Sequence, residues 1–412
     1  MSQEVTNAPL SSFAPPISVQ WVALADLVAQ YDDPLYVYDA DTITRQYNWL
    51  TSVFDEDIAL RLNYACKANT NQAVLKHLHE LGSGLDTVSI NEVKLWLRAW
   101  YQPEQIIFTP NGVRFAEIQE AVELGVHINI DNIAQLEQFW LQYWDSVPVC
   151  LRFNPHIMAW GNYEISTGHI DSKFGISVHQ LRHVMRVIER TNIKVNGLHM
   201  HTGSDILDAW VFLQWADILL AQAQHFPDLQ FVDFGSGFKV PYEPGGKHTD
   251  LEALGTQLSQ AFKQFCSDYG RDLELWFEPG KYLVSEAGYF VTRVNVMKQT
   301  PATVFAFINS WFQHLMRPKL YGAHHHISNI SNPNATKRFY TIVGYICETD
   351  TFARDRELPE IRQDDLLVFH NAWAYCYTMA SNYNSRCRPA EVLIKDWQAE
   401  LVRARETYED LL

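Results

Sequence analysis

Short apolar runs alternate with amphipathic stretches over residues 58 to 280. Each run has the length of a buried strand, and the stretches between them repeat apolar residues at helical spacing. The predicted strands are Leu60–Ala65, Gly84–Val88, Ile106–Pro110, His127–Asp131, Val149–Asn154, Val195–His201, Phe231–Phe234 and Leu273–Glu278. The predicted helices include Ser89–Trp100, Ala116–Leu124, Ile133–Tyr143, Val178–Glu189, Ala209–Gln224 and Leu254–Tyr269. Eight strands with intervening helices predict an α/β fold of the (β/α)8 barrel type.

The pattern changes after Glu286, where Val, Phe, Tyr and Thr fill shorter runs. Tyr289–Val294, Phe339–Val343 and Asp365–Phe369 are typical of antiparallel strands in a separate β domain. Pro34–Tyr38 has the same composition, so we expect this N-terminal strand to join that domain. The predicted organisation is a loose tail at 1–17, a barrel at 45–285, and a β domain built from 18–44 and 286–412.

Composition narrows the possible functions. The 412 residues carry 32 Lys plus Arg against 48 Asp plus Glu, a formal charge of −16, which argues against nucleic-acid or anionic-membrane partners. No apolar run approaches the roughly 20 residues of a membrane span, and the N-terminus does not resemble a secretory signal. The six cysteines lack a paired C-x-x-C spacing, which fits a reducing cytoplasm. Consecutive residues of one strand face opposite ways, so His324–His326 is not expected to bind a metal.

Lys67 is the first candidate for chemistry. It follows the strand Leu60–Ala65 and precedes a helix start capped by Asn71, which puts it at the mouth of a βα loop. In parallel barrels that end of the strands carries the active site, and a partly desolvated lysine can form an imine with an aldehyde cofactor. The alternative is a strand-end lysine whose amine reaches water.

Other strand ends add compatible groups. Asp233–Phe238, with glycines at 235 and 237, follows the seventh predicted strand, and Glu278–Lys281 follows the eighth, where such barrels usually bind phosphate. After the sixth strand, His201 offers an imidazole that could stack on an aromatic ring, and Ser204 offers a hydroxyl for the phosphate. Glu278 could keep a ring nitrogen protonated, which turns a pyridine into an electron sink.

Each of these residues also has a structural interpretation. His201 taken alone would be a hydrogen-bonded interior histidine, Glu278 a salt-bridge partner, and Gly235–Gly237 a tight turn. A barrel hydrolase using Asp86 and Glu278 as paired carboxylates is a further alternative. It leaves Lys67 and the glycine turns without a function.

Eight motifs, in order along nearly the whole chain, resemble those of the fold-type III pyridoxal-phosphate decarboxylases, and most of all the diaminopimelate decarboxylases. They are Tyr64–Asn69, Ser172–Ile176, Gly197–Ser204, Gly235–Phe238, Glu278–Gly280, Arg317–Tyr321, Cys347–Glu348 and Ala374–Tyr375. The resemblance implies an alanine-racemase-like barrel with a β domain, and a homodimer whose active sites lie at the interface. It also implies pyridoxal 5'-phosphate as cofactor and, as reaction, the decarboxylation of meso-diaminopimelate to lysine.

The resemblance further implies a role for each matching residue. Lys67 would hold the cofactor as an imine, His201 would stack on its ring, and Glu278 would contact the pyridinium nitrogen. The phosphate would be held by Ser204, Gly235, Ser236, Gly237, Gly280 and Tyr375. A substrate amino acid would be bound by Lys281, Arg317, Tyr321 and Glu348. Cys347 would donate a proton, and Cys347 and Glu348 would reach the site from the partner subunit.

Several positions depart from the family pattern, among them Asn309–Trp311 and Thr349–Thr351. Lys281 replaces an arginine after Glu-Pro-Gly, and Trp311 and Trp373 stand where the family usually has glycine. A lysine offers a point charge instead of a planar fork, and the tryptophans should shrink or reshape the pocket. A decarboxylase of a related amino acid in a specialised pathway is therefore the main alternative. A non-catalytic regulator with this fold is disfavoured by the retention of Lys67, His201, Glu278 and Cys347, and a racemase by Cys347–Glu348.

Overall fold

The computed structural model describes residues 17–156, 168 and 171–412. The chain forms two units. The barrel unit comprises Ala40–Val240 and Lys247–Val284, and the β unit comprises the described residues up to Asp39 together with Pro241–Gly246 and Ser285–Leu412. Apart from Ile17, the predicted loose tail lies outside the described residues.

The described chain starts in the β unit. A two-strand hairpin, β1 (Ser18–Val19) and β2 (Val22–Ala23), leads into helix α1 (Leu24–Tyr31) and strand β3 (Leu35–Asp39). Leu24, Leu27 and Val28 of α1 are buried in an apolar core shared with β3 and with the C-terminal strands. The N-terminal strand thus packs with residues more than 250 positions away in sequence, such as Val291.

The barrel unit is a closed ring of eight parallel strands. They are β4 (Leu60–Ala65), β5 (Gly84–Thr87), β6 (Ile106–Phe108), β7 (His127–Ile130), β8 (Val149–Asn154), β10 (Val195–Met200), β11 (Phe231–Asp233) and β12 (Glu274–Phe277). The two-residue β9 (Ile176–Ser177) adds to β8. The ring closes where Leu275 of β12 pairs with Leu60 of β4. The predicted (β/α)8 barrel is confirmed.

Helices precede the first barrel strand, connect successive strands and follow the last strand. They are α2 (Ala40–Ser52), α3 (Gln72–Glu80), α4 (Ile90–Ala99), α5 (Phe115–Glu123), α6 (Ile133–Tyr143), α7 (Leu181–Thr191), α8 (Ala209–Ala223), α9 (Leu251–Tyr269) and the short α10 (Lys281–Val284). Both predicted helix caps are present: Asn71 accepts from the Ala73 amide, and Ser89 forms a capping box with Glu92.

Aromatic side chains fill the N-terminal half of the barrel. Phe231 and Trp276 stack with their ring centroids 3.7 Å apart, and the Arg61 guanidinium lies 4.2 Å from the Trp276 ring. Gly197 lies against this stack, because a Cβ at that position would meet the Phe231 ring at 2.2 Å. This interior is packed, so the polar residues of the barrel collect at the opposite, C-terminal ends of the strands.

The rest of the β unit is a mainly antiparallel sheet. Its strands are β13 (Gly288–Gln299), β14 (Val304–Ile308), β15 (Ile327–Asn329), β16 (Lys337–Val343), β17 (Thr351–Pro359), β18 (Leu366–His370), β19 (Ala390–Lys395) and β20 (Gln398–Arg403), with helix α11 (Arg317–Tyr321) after β14. β3 lies between β13, which is antiparallel to it, and β19, which is parallel. The predicted N-terminal strand of the β domain is confirmed. No helix among the described residues is both long and apolar enough to span a bilayer.

Candidate functional site

Lys67 lies at the C-terminal end of β4, in a single 3-10 turn formed by Cys66–Ala68. Its Nζ is 3.0 Å from Oδ2 of Asp86 on β5, and the Asp86 side chain is 1% exposed whereas that of Lys67 is 42% exposed. Burial, followed by the nearby Glu278 carboxylate, raises the pKa of Asp86 to about 7 against the opposing effect of Lys67. The lysine amine therefore has a neighbour that can take up or release a proton near neutral pH.

Glu278 follows β12 and belongs to a buried cluster. Its Oε2 is 2.9 Å from Nε2 of His199 on β10, and Oε1 has no hydrogen-bond partner among the described residues. Burial alone would raise the pKa of Glu278, but His199, Lys67 and His201 together lower it to about 2. Because Glu278 is ionised, the proton of this contact is carried by Nε2 of His199.

Asp233 at the end of β11 completes this cluster. Burial, together with the Glu278 carboxylate, raises the pKa of Asp233 well above its usual range, which favours the protonated form of Asp233 beside Glu278. One ligand-type atom from each of His199, Asp233 and Glu278 lies within 4.8 Å of the others. His199 Nδ1, Asp233 Oδ2 and Glu278 Oε1 have no hydrogen-bond partner among the described residues, so this buried cluster keeps polar atoms that a bound molecule could contact.

His201 directly follows β10. Burial, with Arg152 and Lys67 nearby, lowers the pKa of His201 to about 3, so its ring is neutral. Its Nδ1 accepts a hydrogen bond from the Ser236 backbone amide at 3.3 Å, which assigns the ring proton to Nε2. The loop after β11 thus fixes both the orientation and the tautomer of His201.

The turn Gly235–Gly237 packs tightly against the loop after β10. Gly235 has φ +59°, and a Cβ there would meet His201 Nδ1 at 2.7 Å. Gly237 has φ +139°, and a Cβ there would meet the Gly203 carbonyl at 2.4 Å. Both positions require glycine, both for backbone conformation and for space. Ser236 between them is buried, and Ser204 and Gly280 lie on the two flanking loops.

Lys281 is the first residue of α10. Its Nζ is 2.8 Å from Oδ1 of Asp205, the residue after Ser204. The predicted site residues of the barrel unit all follow the C-terminal ends of barrel strands. They are Lys67, His201, Ser204, Gly235–Gly237, Glu278, Gly280 and Lys281. The structure therefore brings the barrel part of the predicted set to one end of one unit.

The other predicted residues belong to the β unit. Arg317 starts α11 and is buried; its Nη1 donates to the Tyr242 hydroxyl at 2.8 Å, and its guanidinium lies 4.8 Å from the Tyr242 ring. Tyr321 ends α11 and is half-buried. Tyr375 is also half-buried and has φ +59°, an uncommon conformation for a tyrosine.

Cys347 and Glu348 are both exposed. The Tyr383 hydroxyl donates to Glu348 Oε1 at 2.9 Å, and the Asn384 amide lies 3.9 Å from Cys347 Sγ. These two contacts come from one short segment. The carboxylate and the thiol are thus held side by side on a surface of the β unit.

The two unexpected tryptophans are buried in the β unit. Trp373 is 0% exposed and stacks on Tyr38 with ring centroids 4.1 Å apart. Gly288 adjoins it, because a Cβ there would meet Trp373 Cβ at 2.4 Å. Trp311 is 2% exposed and contacts Phe312. The Trp373 side chain is therefore part of the packed interior of the β unit, between Tyr38 and Gly288.

Sequence reasoning missed several polar residues of the barrel site. The sequence patterns indicate Asp86 only as a hydrolase carboxylate and predict no role for His199, Asp233 or Arg152. His199 lies two residues before His201, so both point to the same side of β10, and this spacing is a usable signal. Arg152 on β8 is buried with its guanidinium 4.9 Å from the Phe174 ring, and only the folded chain reveals this contact.

Comparison with known proteins agrees with this geometry. The family described as "Pyridoxal-dependent decarboxylase, pyridoxal binding domain" matches residues 40–285. The diaminopimelate decarboxylase of Methanothermobacter thermautotrophicus is 37% identical over 396 residues, covering 94% of this chain and 92% of the relative. That of Escherichia coli is 33% identical and covers 98% and 99%.

Solved structures give the same result. A crystal structure of diaminopimelate decarboxylase superposes with a TM-score of 0.87 at 32% identity, covering 96% of both chains. The Helicobacter pylori diaminopimelate decarboxylase complexed with L-lysine gives 0.85 at 29% identity, covering 94% of this chain and 98% of that one. The similarity spans the barrel and the β unit.

Proposed function

Since this chain belongs to the pyridoxal-dependent decarboxylases, and among them to the diaminopimelate decarboxylase family, we propose that it decarboxylates meso-diaminopimelate to lysine. The observation that carries the proposal is the cluster at one end of the barrel: a lysine beside a titratable carboxyl, a neutral imidazole, and a buried ionised glutamate. Hydrolysis by paired carboxylates would use Asp86 and Glu278, but it gives Lys67 no role.

The residues present fit pyridoxal 5'-phosphate. Glu278 Oε1 has no hydrogen-bond partner among the described residues and can accept one from a protonated ring nitrogen. Gly235 and Gly237 leave room for backbone amides to approach a phosphate, which Ser204, Ser236, Gly280 and Tyr375 would also contact. Lys67 would hold the aldehyde carbon, and His201 would lie against the ring.

When bound, this cofactor supplies a sink for the electron pair that carbon dioxide leaves behind. Glu278 keeps the sink effective, because its low pKa favours a proton on the ring nitrogen. His201 can stack on that ring without a competing charge because it is neutral. Asp86 Oδ2, 3.0 Å from Lys67 Nζ, can take the proton that the amine must lose before it attacks the aldehyde.

The β unit would supply substrate recognition. Arg317 and Tyr321 would bind a substrate carboxylate, and Glu348 would accept the distal ammonium group. Cys347 Sγ would donate the proton that replaces the lost carboxyl group at the α carbon. These roles follow from the match to the family motifs and from the side-by-side arrangement of the exposed Cys347 and Glu348.

We further propose a homodimer in which Cys347 and Glu348 complete the partner's site. Their exposure supports this, because residues that act on a small substrate inside the same chain are usually enclosed. Mixing inactive Lys67→Ala with inactive Cys347→Ala tests it: one site of each mixed dimer should be intact, restoring roughly a quarter of normal activity. No recovery after subunit exchange would contradict a shared site. A cytoplasmic location is proposed from the six free cysteines.

Carbon dioxide release tests the reaction. The purified, cofactor-loaded protein is incubated with meso-diaminopimelate, ornithine, arginine and larger diamino acids. We expect diaminopimelate to have the highest kcat/KM, with lysine as product. Preference for another amino acid would favour the specialised decarboxylase that Lys281, Trp311 and Trp373 suggest. Release of carbon dioxide from none of these amino acids would contradict decarboxylation.

A further inference from the structure

Lys281 is committed to an ion pair inside the barrel unit. Its side chain is only 9% exposed, its Nζ lies 2.8 Å from Asp205 Oδ1, and the Asp205 side chain is 26% exposed. We propose that this pair positions the phosphate-binding turns, so that Lys281 is a positioning residue for the cofactor and not a ligand of the substrate carboxylate. The inference rests on the proposed function.

The pair closes a triangle of three loops. The loop after β10 is joined to the loop after β11 by the Ile206 amide, which donates to the Gly237 carbonyl at 2.8 Å. The loop after β11 is joined to the loop after β12 by the Glu278 amide, which donates to the Gly235 carbonyl at 2.6 Å. Asp205 and Lys281 join the first loop to the third through side chains. Each side of the triangle has at least one such link, and the Ser236 amide, which donates to His201 Nδ1, adds a second link between the first two loops.

Each loop carries residues proposed to hold the phosphate. Ser204 immediately precedes Asp205, Gly235–Gly237 lies on the second loop, and Gly280 immediately precedes Lys281. A shift of either paired residue is therefore passed directly to a neighbouring phosphate contact. This arrangement differs from a lysine that extends freely toward a substrate.

The backbone at Asp205 also needs an external constraint. Its φ is +67°, in the left-handed region that non-glycine residues rarely adopt, and Gly203 two residues earlier has φ +126°. The loop is held on its other side by Thr249 Oγ1, which donates to the Ile206 carbonyl at 2.5 Å. The ion pair thus fixes the part of the loop next to Ser204.

The opposite charges of Asp205 and Lys281 should affect phosphate binding in opposite ways. A carboxylate beside a phosphate site repels the phosphate unless a cation neutralises it. Removing Lys281 alone leaves Asp205 uncompensated, whereas removing both charges leaves neither repulsion nor attraction. The pair therefore predicts a recovery in the double variant that a lone substrate-binding lysine does not predict.

Cofactor titration of the apoenzyme tests this. Apoenzyme of Lys281→Met, Asp205→Asn/Lys281→Met and the unmodified chain is titrated with pyridoxal 5'-phosphate and followed by absorbance. We expect Lys281→Met to bind about tenfold more weakly and the double variant to recover part of that loss. KM for meso-diaminopimelate at saturating cofactor should stay within about twofold for both variants.

The matched control is Lys263→Met. Lys263 forms an ion pair with Asp55 at 2.7 Å on the same unit, but both side chains are about half exposed, at 44% and 50%. Its removal should leave cofactor affinity unchanged. If Lys281→Met does not fold, Lys281→Gln removes the same charge while keeping a polar end group, and the same comparison applies.

Two results would overturn the proposal. One is a normal cofactor affinity in Lys281→Met with a raised KM, which would make Lys281 a substrate ligand. The other is a double variant that binds cofactor as weakly as Lys281→Met or more weakly. Because the titration needs no substrate, an enzyme that acts on a different amino acid would leave this test intact, whereas a chain that binds no cofactor would contradict the proposed function itself.

Discussion

The two units present their polar residues in opposite ways. In the barrel unit Glu278, His199 and Asp86 are almost fully buried and contact one another or Lys67. In the β unit Cys347 and Glu348 are exposed, and their side chains contact Asn384 and Tyr383 respectively. The difference teaches that the proposed cofactor chemistry is pre-organised within a single unit. The proposed proton donation by Cys347 and the proposed recognition of the distal ammonium group by Glu348 depend on residues displayed on a surface.

The variant Lys67→Ala tests the barrel side of this comparison and should have the largest effect. The barrel site would lose its only proposed covalent attachment, so we expect the absorbance of the lysine-bound aldehyde to disappear and kcat to fall at least about 10⁴-fold. Visible spectra and carbon dioxide release measure the two effects. Lys263→Ala, at an exposed position of the same unit, is the control. An unchanged spectrum would remove Lys67 from its role.

Glu278→Gln should have the next largest effect. Glutamine keeps the shape but cannot hold a proton on the ring nitrogen, so we expect kcat to fall about 10³-fold while the cofactor still binds. Steady-state kinetics and cofactor titration separate the two quantities. The control is Glu274→Gln, at the exposed first position of β12, the strand that Glu278 follows, and this variant should behave as the unmodified chain. Equal kcat in both variants would contradict the electron-sink role.

Glu348→Gln tests the surface side of the comparison. A hydrogen bond to a charged group would be weakened, so KM for meso-diaminopimelate should rise about 10- to 50-fold with cofactor affinity unchanged. The exposed Glu357 on β17 offers the control Glu357→Gln. If Glu348→Gln impaired cofactor binding as much as substrate binding, Glu348 would be structural.

The smallest predicted effect concerns pH and the β unit. Burial, with the Arg317 cation nearby, lowers the pKa of His325 to about 3 from the ordinary 6.5. The unfolded chain therefore takes up a proton below about pH 6.5 that the folded chain refuses until about pH 3, so stability falls as the pH drops through this window.

We expect His325→Gln to lose less thermal stability between pH 7 and pH 5, by about 4 °C in the melting temperature. Scanning calorimetry at both pH values measures it, and His248→Gln at an exposed position of the barrel unit is the control. Identical pH slopes for His325→Gln and the unmodified chain would show that this histidine does not titrate on unfolding.

Local patterns were enough to predict the barrel. The strands of a parallel sheet are buried on both faces, so they stand out in the sequence as apolar runs. A capping box such as Ser89 with Glu92 can be identified from residues only three positions apart. Helix α2 is not among the predicted helices although Ile43, Tyr47 and Leu50 are buried at helical spacing, and it begins five residues before the predicted start of the barrel at residue 45. Its position depends on the unit it packs with.

The candidate site was only partly predictable. Lys67, His201 and Glu278 follow strand ends and could be identified from the sequence, whereas the contact between His199 and Glu278 joins residues 79 positions apart. The pairing of Lys281 with Asp205 spans 76 positions and depends on how two loops approach. Such contacts depend on how the loops at the ends of distant strands approach one another, and no local sequence pattern indicates that approach.

The most direct test of the central claim is to find which lysine carries the aldehyde. The cofactor-loaded protein is reduced with borohydride, digested, and mapped by mass spectrometry. We predict a single pyridoxyl adduct on Lys67, in the turn after β4 and beside Asp86. An adduct on Lys281 or on any other lysine, with Lys67 unmodified, would contradict the account.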